Sequence, residues 1–225
     1  MTEKQEIFNL MGGRVKMWRE TYNPTSDAVW LASFAPSNTT KVLDVGIGTG
    51  GITMCLLANN KDAVVTGLDV SEQMLETCAK NAALNNRKIE LLNQDIMTWR
   101  TNRTFDLVIT NPPYFCGTPA SHNAHHNTDI EQWVKKCLNR TRPRGTFCII
   151  IDAKCVSTVI SCMSQKCGDI FILPLFGSKS IAERVLIRGR IGTRGGTIIH
   201  RGLPMNFEPV LRDGLTIDNV LSTVG

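Results

Sequence analysis

Residues 43–51 read Leu-Asp-Val-Gly-Ile-Gly-Thr-Gly-Gly, and the reading of this stretch decides the fold. The apolar run ending at Val45 has strand character, and the GITMCLLANN that follows at residues 51–60 has helical length. Gly46, Gly48 and Gly50 therefore fall in a strand-to-helix turn, where the backbone must come close to a ligand. Glycine permits this because it lacks a β-carbon and tolerates positive φ. Taken alone, such a loop serves a dinucleotide, another ligand, or no ligand at all.

Working outward from Lys41, apolar runs of strand length alternate with amphipathic stretches of helical length. The strand candidates are KVLDVG, AVVTGLDV, KIELLNQD, FDLVITN, GTFCIIID, DIFILPLF and ERVLIRGRI. Between them lie residues 51–60, residues 71–85 with Ser71 as N-cap, residues 129–139 and residues 153–165 as helices. This alternation predicts an α/β fold, a mostly parallel sheet with helices on both faces. The last two strands are joined only by GSKSIA, too short for a crossover helix, so they pair as an antiparallel hairpin. Residues 1–40 read as an N-terminal extension carrying a short helix, DAVWLASF, and residues 41–225 as one domain.

Three acids end successive strand candidates. Asp44 precedes the first glycine, Asp69 closes GLDV 23 positions after Gly46, and Asp95 closes NQD. An ionised carboxylate at the end of the second strand offers two acceptor oxygens to a ribose diol, a recurrent use of that position. The fourth strand candidate runs into Asn111-Pro112-Pro113-Tyr114, then Phe115. Two prolines fix φ twice, remove two N–H donors and keep Asn111 out of helical geometry. The Asn111 side-chain oxygen and the Pro112 carbonyl can accept the two N–H hydrogens of an aromatic amine, and Tyr114 and Phe115 can stack on its ring. Asparagine supplies an acceptor without a useful pKa, so the chemistry indicated is alignment of an amine rather than base catalysis.

These motifs resemble class I methyltransferases that use S-adenosyl-L-methionine, with a seven-stranded sheet whose last strand is antiparallel. The loop resembles their motif I, and Asn111 to Tyr114 resembles the N/D-P-P-Y motif of amino-methyltransferases acting on adenine N6, cytosine N4 or a protein glutamine. GGRVKMWRE with SDAVWLAS, VLDVGIGTGG, GLDVSEQM, NQDIM, FDLVITNPPYF and AERVLIRGRIGTRGG together resemble the tRNA(Val) adenine-N6 methyltransferase family over about residues 12–215. The resemblance implies cofactor binding by Asp44, Gly46, Gly48, Gly50, Asp69 and Asp95, with Asp27 near the cofactor. It also implies catalysis by Asn111, Pro112 and Tyr114 on adenine N6 of a tRNA. Ile47 stands where the family has a small residue or cysteine. Ribosomal RNA, DNA and protein glutamine are alternative substrates, and a non-catalytic RNA-binding protein of the same fold is an alternative function. Release-factor glutamine methyltransferases carry a sizeable helical domain before motif I, whereas about 40 residues precede it here.

The chain has 225 residues, 42% hydrophobic and 20% charged, enough to bury a core. Its net charge of +5 is unevenly placed. Residues 1–120 carry 11 Lys and Arg against 12 Asp and Glu, and residues 121–225 carry 14 against 8. Arg188, Arg190 and Arg194 concentrate that excess on the final strand and the turn after it; Arg188 and Arg190, two apart on the strand, share a face on which they could follow an RNA backbone. His122, His125 and His126 form a histidine-rich segment without ligand spacing for a metal, so no metal is expected. No apolar run reaches membrane-spanning length, and the acidic N-terminus is unlike a signal peptide, so a cytoplasmic protein is expected. The eight cysteines contain no C-x-x-C pair and read as buried free thiols.

Overall fold

The computed structural model describes residues 6–19, 23–113 and 129–224. Ile7–Leu10 (β1) and Val15–Trp18 (β2) form an antiparallel hairpin, followed by the helix Ser26–Phe34 (α1). Lys41–Val45 (β3), Gly51–Asn59 (α2), Val64–Asp69 (β4), Glu72–Leu84 (α3) and Glu90–Asn93 (β5) come next. Phe105–Thr110 (β6), Ile130–Arg140 (α4), Thr141–Asp152 (β7), Val156–Ser164 (α5), Cys167–Phe176 (β8) and Ala182–Ile191 (β9) complete the alternating part. Two short strands, Thr197–Ile199 (β10) and Leu203–Pro204 (β11), and two helices, Glu208–Leu211 (α6) and Ile217–Val224 (α7), follow.

Strands β5, β4, β3, β6 and β7 are neighbours in that order and mutually parallel. Strand β9 is inserted between β7 and β8 and runs antiparallel to both. Of these seven strands only β9 is reversed, the α/β arrangement expected from the short GSKSIA connection. Two features were not expected. Strands β10 and β11 add in parallel to the outer side of β8, and residues before β3 contribute a hairpin as well as a helix.

Side chains alternate across the sheet with the strand period of two. Leu107, Ile109, Cys148 and Ile150 face a core shared with α1, α2 and α7. Val108, Phe147, Ile149 and Ile151 face the core under α4 and α5. Every residue of α1 from Asp27 to Phe34 is buried, so this helix is enclosed rather than amphipathic. The hairpin belongs to the same core through Met11, Val15 and Met17. Its free edge is satisfied by amide side chains of α3: Trp18 N–H donates to Asn81 Oδ1 at 2.9 Å, Lys16 N–H to Asn85 Oδ1 at 2.9 Å, and Asn85 Nδ2 returns a bond to Lys16 O at 2.6 Å. Two amides one helical turn apart thus stand in for a neighbouring strand.

Six cysteines, at 55, 78, 137, 148, 162 and 167, are buried free thiols as expected. Burial pushes the Cys55 and Cys78 thiols up to about 12. Cys155 is disulfide-bonded, which corrects the expectation of free thiols throughout. Pairing depends on which thiols folding brings within bonding distance, and sequence spacing does not report that.

Ile47 is 3% exposed and packs with Leu75 and Cys78. A β-carbon at Gly67 would lie 2.2 Å from Ile47 Cδ1, so the branched side chain in the loop is accommodated by a missing one in the neighbouring strand. We expect Gly67→Ala to cost about 1–3 kcal/mol in urea denaturation through overpacking. Combined with Ile47→Val, which removes Cδ1, the loss falls below the sum of the two single losses; strict additivity would show that the two residues do not share this space.

Candidate active site

The register of three parallel strands assembles the site. Val45 pairs with Leu68 on one side and Thr110 on the other, so Gly46, Asp69 and Asn111 leave the carboxyl end of the sheet side by side. The loop after β3 is then folded back onto β4: Gly46 and Ile47 both donate their N–H to Leu68 O, at 2.8 and 3.0 Å. Gly46, Gly48 and Gly50 all have positive φ, of 73°, 54° and 89°. At Gly48 nothing lies within 4 Å of where a β-carbon would sit, whereas at Gly50 the Cys78 sulfur would be 2.7 Å away. Gly48 is thus required by its φ alone and borders open space, while Gly50 is also required by packing.

Asp69 uses both carboxylate oxygens on backbone. Oδ2 accepts from Gly48 N–H at 2.8 Å and Oδ1 from Ser71 N–H at 2.9 Å, which joins the glycine loop to the start of α3. Each oxygen has a second lone pair. Ser71 caps α3 by accepting from Met74 N–H, as expected. Asp95 Oδ1 accepts from Met97 N–H at 2.8 Å in a local turn. Asp69 and Asp95 both line a cavity of ≈ 710 Å³ with Gly46, Gly48 and Asn111, a volume in the ordinary range for a small-molecule site.

Asp44 lies beneath this cavity rather than on its wall. It is fully buried, Thr53 Oγ1 donates to its Oδ2 at 2.6 Å, and Oδ1 has no hydrogen-bond partner. Loss of hydration, opposed by the Thr53 bond and reinforced by the nearby Asp69 charge, pushes its carboxyl up to about 7.

Asn111 has its side-chain oxygen buried and without a partner. An unpaired acceptor in the interior is costly and uncommon, and the residue that carries it here lines the cavity. Beside it, Thr110 Oγ1 donates to Val45 O at 2.8 Å and accepts from the Trp133 indole N–H at 3.1 Å. The Trp133 ring covers Gly46, whose β-carbon would stand 3.6 Å from it. Thr110 and Trp133 were missed in the sequence: a tryptophan on the apolar side of an amphipathic helix reads as core. So was Asn81, which donates to Thr49 O in the loop at 2.9 Å while accepting from β2.

The cavity wall contains Asp69, Asp95 and Asp129 and, among the described residues, no Lys, Arg or His. That charge pattern disfavours a pyrophosphate and suits a ligand bearing positive charge, which separates the readings left open by the loop alone. Among the described residues no group of three His, Cys, Asp or Glu could hold a metal ion. Tyr114, Phe115 and His122, His125 and His126 lie outside the described residues.

The remaining expected site residues are elsewhere. Asp27, at the start of α1, is 5% exposed and accepts from Arg184 Nε at 3.1 Å; its neighbours Pro24, Thr25 and Ala28 line the cavity. Arg188 and Arg190 share a face and line one surface cavity, but Arg188 is engaged there by neighbouring groups. Its guanidinium donates to Asp218 and to Phe34 O and packs on the Phe34 and Phe171 rings, so it ties β9 to α1 and α7. Arg190 is exposed, 3.9 Å from Asp169, and Arg194 is exposed beyond the end of β9. Arg190 lies opposite Thr146, and Thr146 opposite Leu107, which places it about 10 Å along the strand direction from the level of Thr110.

This sheet order, with a glycine loop after β3 and acids at the ends of β4 and β5, is the class I methyltransferase fold. The chain belongs to the methyltransferase small domain family, whose model matches residues 25–171. It is similar to the tRNA1(Val) (adenine(37)-N6)-methyltransferase of Glaesserella parasuis, 33% identical over 135 residues, covering 56% of this chain and 57% of that one. The enzyme of the same name from a Flavobacteriaceae bacterium is 27% identical over 181 residues, covering 77% and 78%. The chain thus spans a little over half the length of the first of these relatives. In fold it is similar to the crystal structure of a predicted O-methyltransferase from Agrobacterium tumefaciens, with a TM-score of 0.65 and 24% identity over 79% of this chain and 86% of that one. No helix among the described residues is long and apolar enough to cross a membrane.

The raised carboxyl of Asp44 has a measurable consequence. Between the ordinary value of 3.8 and about 7, the folded protein retains a proton that the unfolded chain has released. Stability from this group is therefore full below about pH 4 and declines as pH rises towards 7. We expect Asp44→Asn to flatten that part of the Tm-against-pH curve; a variant with the wild-type slope would show that Asp44 is ionised throughout.

Proposed function

We propose that this chain transfers a methyl group from S-adenosyl-L-methionine to an exocyclic amine, adenine N6 in RNA, with a tRNA as substrate and the cytoplasm as its place of action. The observation that carries this reading is the unpaired, buried oxygen of Asn111, a residue that lines an acid-rich cavity. S-adenosylmethionine supplies an electrophilic methyl group on a positively charged sulfonium. The residues fit it: Gly48 leaves open space beside the loop, Asp69 has lone pairs for ribose hydroxyls, and no cation on the described wall opposes a sulfonium.

Asn111 Oδ1 accepts one N–H of the incoming amine and the Pro112 carbonyl accepts the other. Holding both hydrogens favours a pyramidal nitrogen and frees its lone pair from the aromatic ring. The new C–N bond forms as the carbon–sulfur bond breaks, and the resulting ammonium loses its proton to solvent. Orientation and fixed dipoles provide most of the acceleration, with Tyr114 as the stacking face for the base. Asp44 holds the loop from beneath through Thr53 and α2.

The names of the two curated relatives support adenine N6 and tRNA as the choice among the amines. An unpaired anticodon-loop base also avoids the cost of unstacking from a duplex, which suits a compact enzyme. Arg190 and Arg194 then contact phosphates at a distance from the reacting base, while Arg188 ties β9 to α1 and α7.

Unmodified tRNA incubated with the protein and S-adenosylmethionine should gain N6-methyladenosine by nucleoside mass spectrometry. Asn111→Ala should lower kcat by about 100-fold or more with cofactor affinity retained. Formation of another methylated nucleoside would redirect the substrate, and a fully active Asn111→Ala would remove the amine-alignment mechanism. Replacing Arg190 and Arg194 by alanine should raise KM for RNA, most at low salt and progressively less as salt is added, and leave cofactor affinity unchanged; an unchanged KM would place the RNA on another face.

A further inference from the structure

We infer that Thr110 and Trp133 are positioning residues that keep the Asn111 oxygen vacant for the amine of the substrate, an inference that rests on the methyl-transfer reading above. Trp133 lines the same cavity as Asn111, and its indole N–H is a strong, buried donor. It donates to Thr110, the residue before that asparagine, at 3.1 Å. Thr110 can accept from the indole because its own proton is committed to Val45 O at 2.8 Å. The chain of bonds has one direction, from α4 through β6 to β3, and ends on the residue before Gly46. Thr110 is fully buried and Trp133 is 9% exposed, so water does not compete for these groups.

Two consequences follow from that geometry. The relay fixes the last residue of β6 to the last residue of β3, and so sets the spacing between Asn111 and the glycine loop. It also consumes the indole donor. With Thr110 unable to accept, the buried N–H would need another acceptor, and the side chain of the next residue carries one without a partner, Asn111 Oδ1. An indole bonded there would block the substrate amine while leaving the cofactor cavity intact. A hydroxyl at position 110 is needed for this, and a β-branched apolar residue of the same shape would not serve.

The test uses tRNA methylation and cofactor binding by the intact chain. Thr110→Val should lower kcat by about tenfold or more, with the dissociation constant for S-adenosylmethionine within about threefold of wild type. Thr110→Ser, which restores both bonds, should recover most of the wild-type rate. Adding Trp133→Phe to Thr110→Val removes the misdirected donor and should raise kcat above that of Thr110→Val alone, a sign of coupling that loss of packing would not produce. Wild-type kcat in Thr110→Val, a loss carried by cofactor affinity, or a double variant slower than Thr110→Val would each overturn the inference while leaving the methyl-transfer reading in place. A wild-type protein that methylates no amine would overturn that reading and this one with it.

Discussion

Val45 hydrogen-bonds in register with Leu68 on one side and Thr110 on the other, and the site depends on this alignment. Parallel pairing brings the carboxyl ends of β3, β4 and β6 to one edge at a spacing of about 4.8 Å per strand. Residues 65 positions apart in the chain, Val45 and Thr110, are thereby joined directly. A slip of one residue in either pairing would turn Asp69 or Asn111 to the opposite face and dismantle the cavity wall.

The electrostatics follow from that convergence. Strand ends bring carboxylates together, and the described wall holds no cation to neutralise them. Asp44, nearest the core, retains its proton up to about pH 7 chiefly because burial strips its hydration, with the Asp69 charge adding to that, while Asp69 is held by two backbone N–H donors at the rim. Two carboxylates one strand apart thus have different surroundings: the inner one supports the loop through Thr53, and the outer one faces the cavity. The proposed transfer uses this division, with a cationic ligand above and a neutral asparagine, rather than another carboxylate, next to the amine.

Support for the site comes from residues whose roles lie in packing. Asn81 joins the glycine loop to the N-terminal hairpin, and Arg188 joins β9 to α1 and α7 through Phe34 and Asp218. In both cases a polar side chain inside the protein satisfies backbone or ionic groups that would otherwise be buried unpaired. The hairpin and the C-terminal tail thereby share one core with the sheet, and the glycine loop is braced from the side away from the cavity.

The sequence by itself determined the seven central strands, the reversed final strand, the Ser71 cap and the placement of Gly46, Gly48, Gly50, Asp69, Asp95 and Asn111 at strand ends. Those features are local: strand period, helix length, glycine spacing, a short connection and paired prolines are all written in neighbouring residues. The tertiary structure decided what depends on residues far apart. It paired Arg188 with Asp218, completed the edge of β2 with amides from α3, bonded Cys155, and laid Trp133 over Gly46 with its N–H on Thr110. The physical reason is that a side chain's type states which bonds it can make, whereas only the packing of one element on another states which partner is within reach.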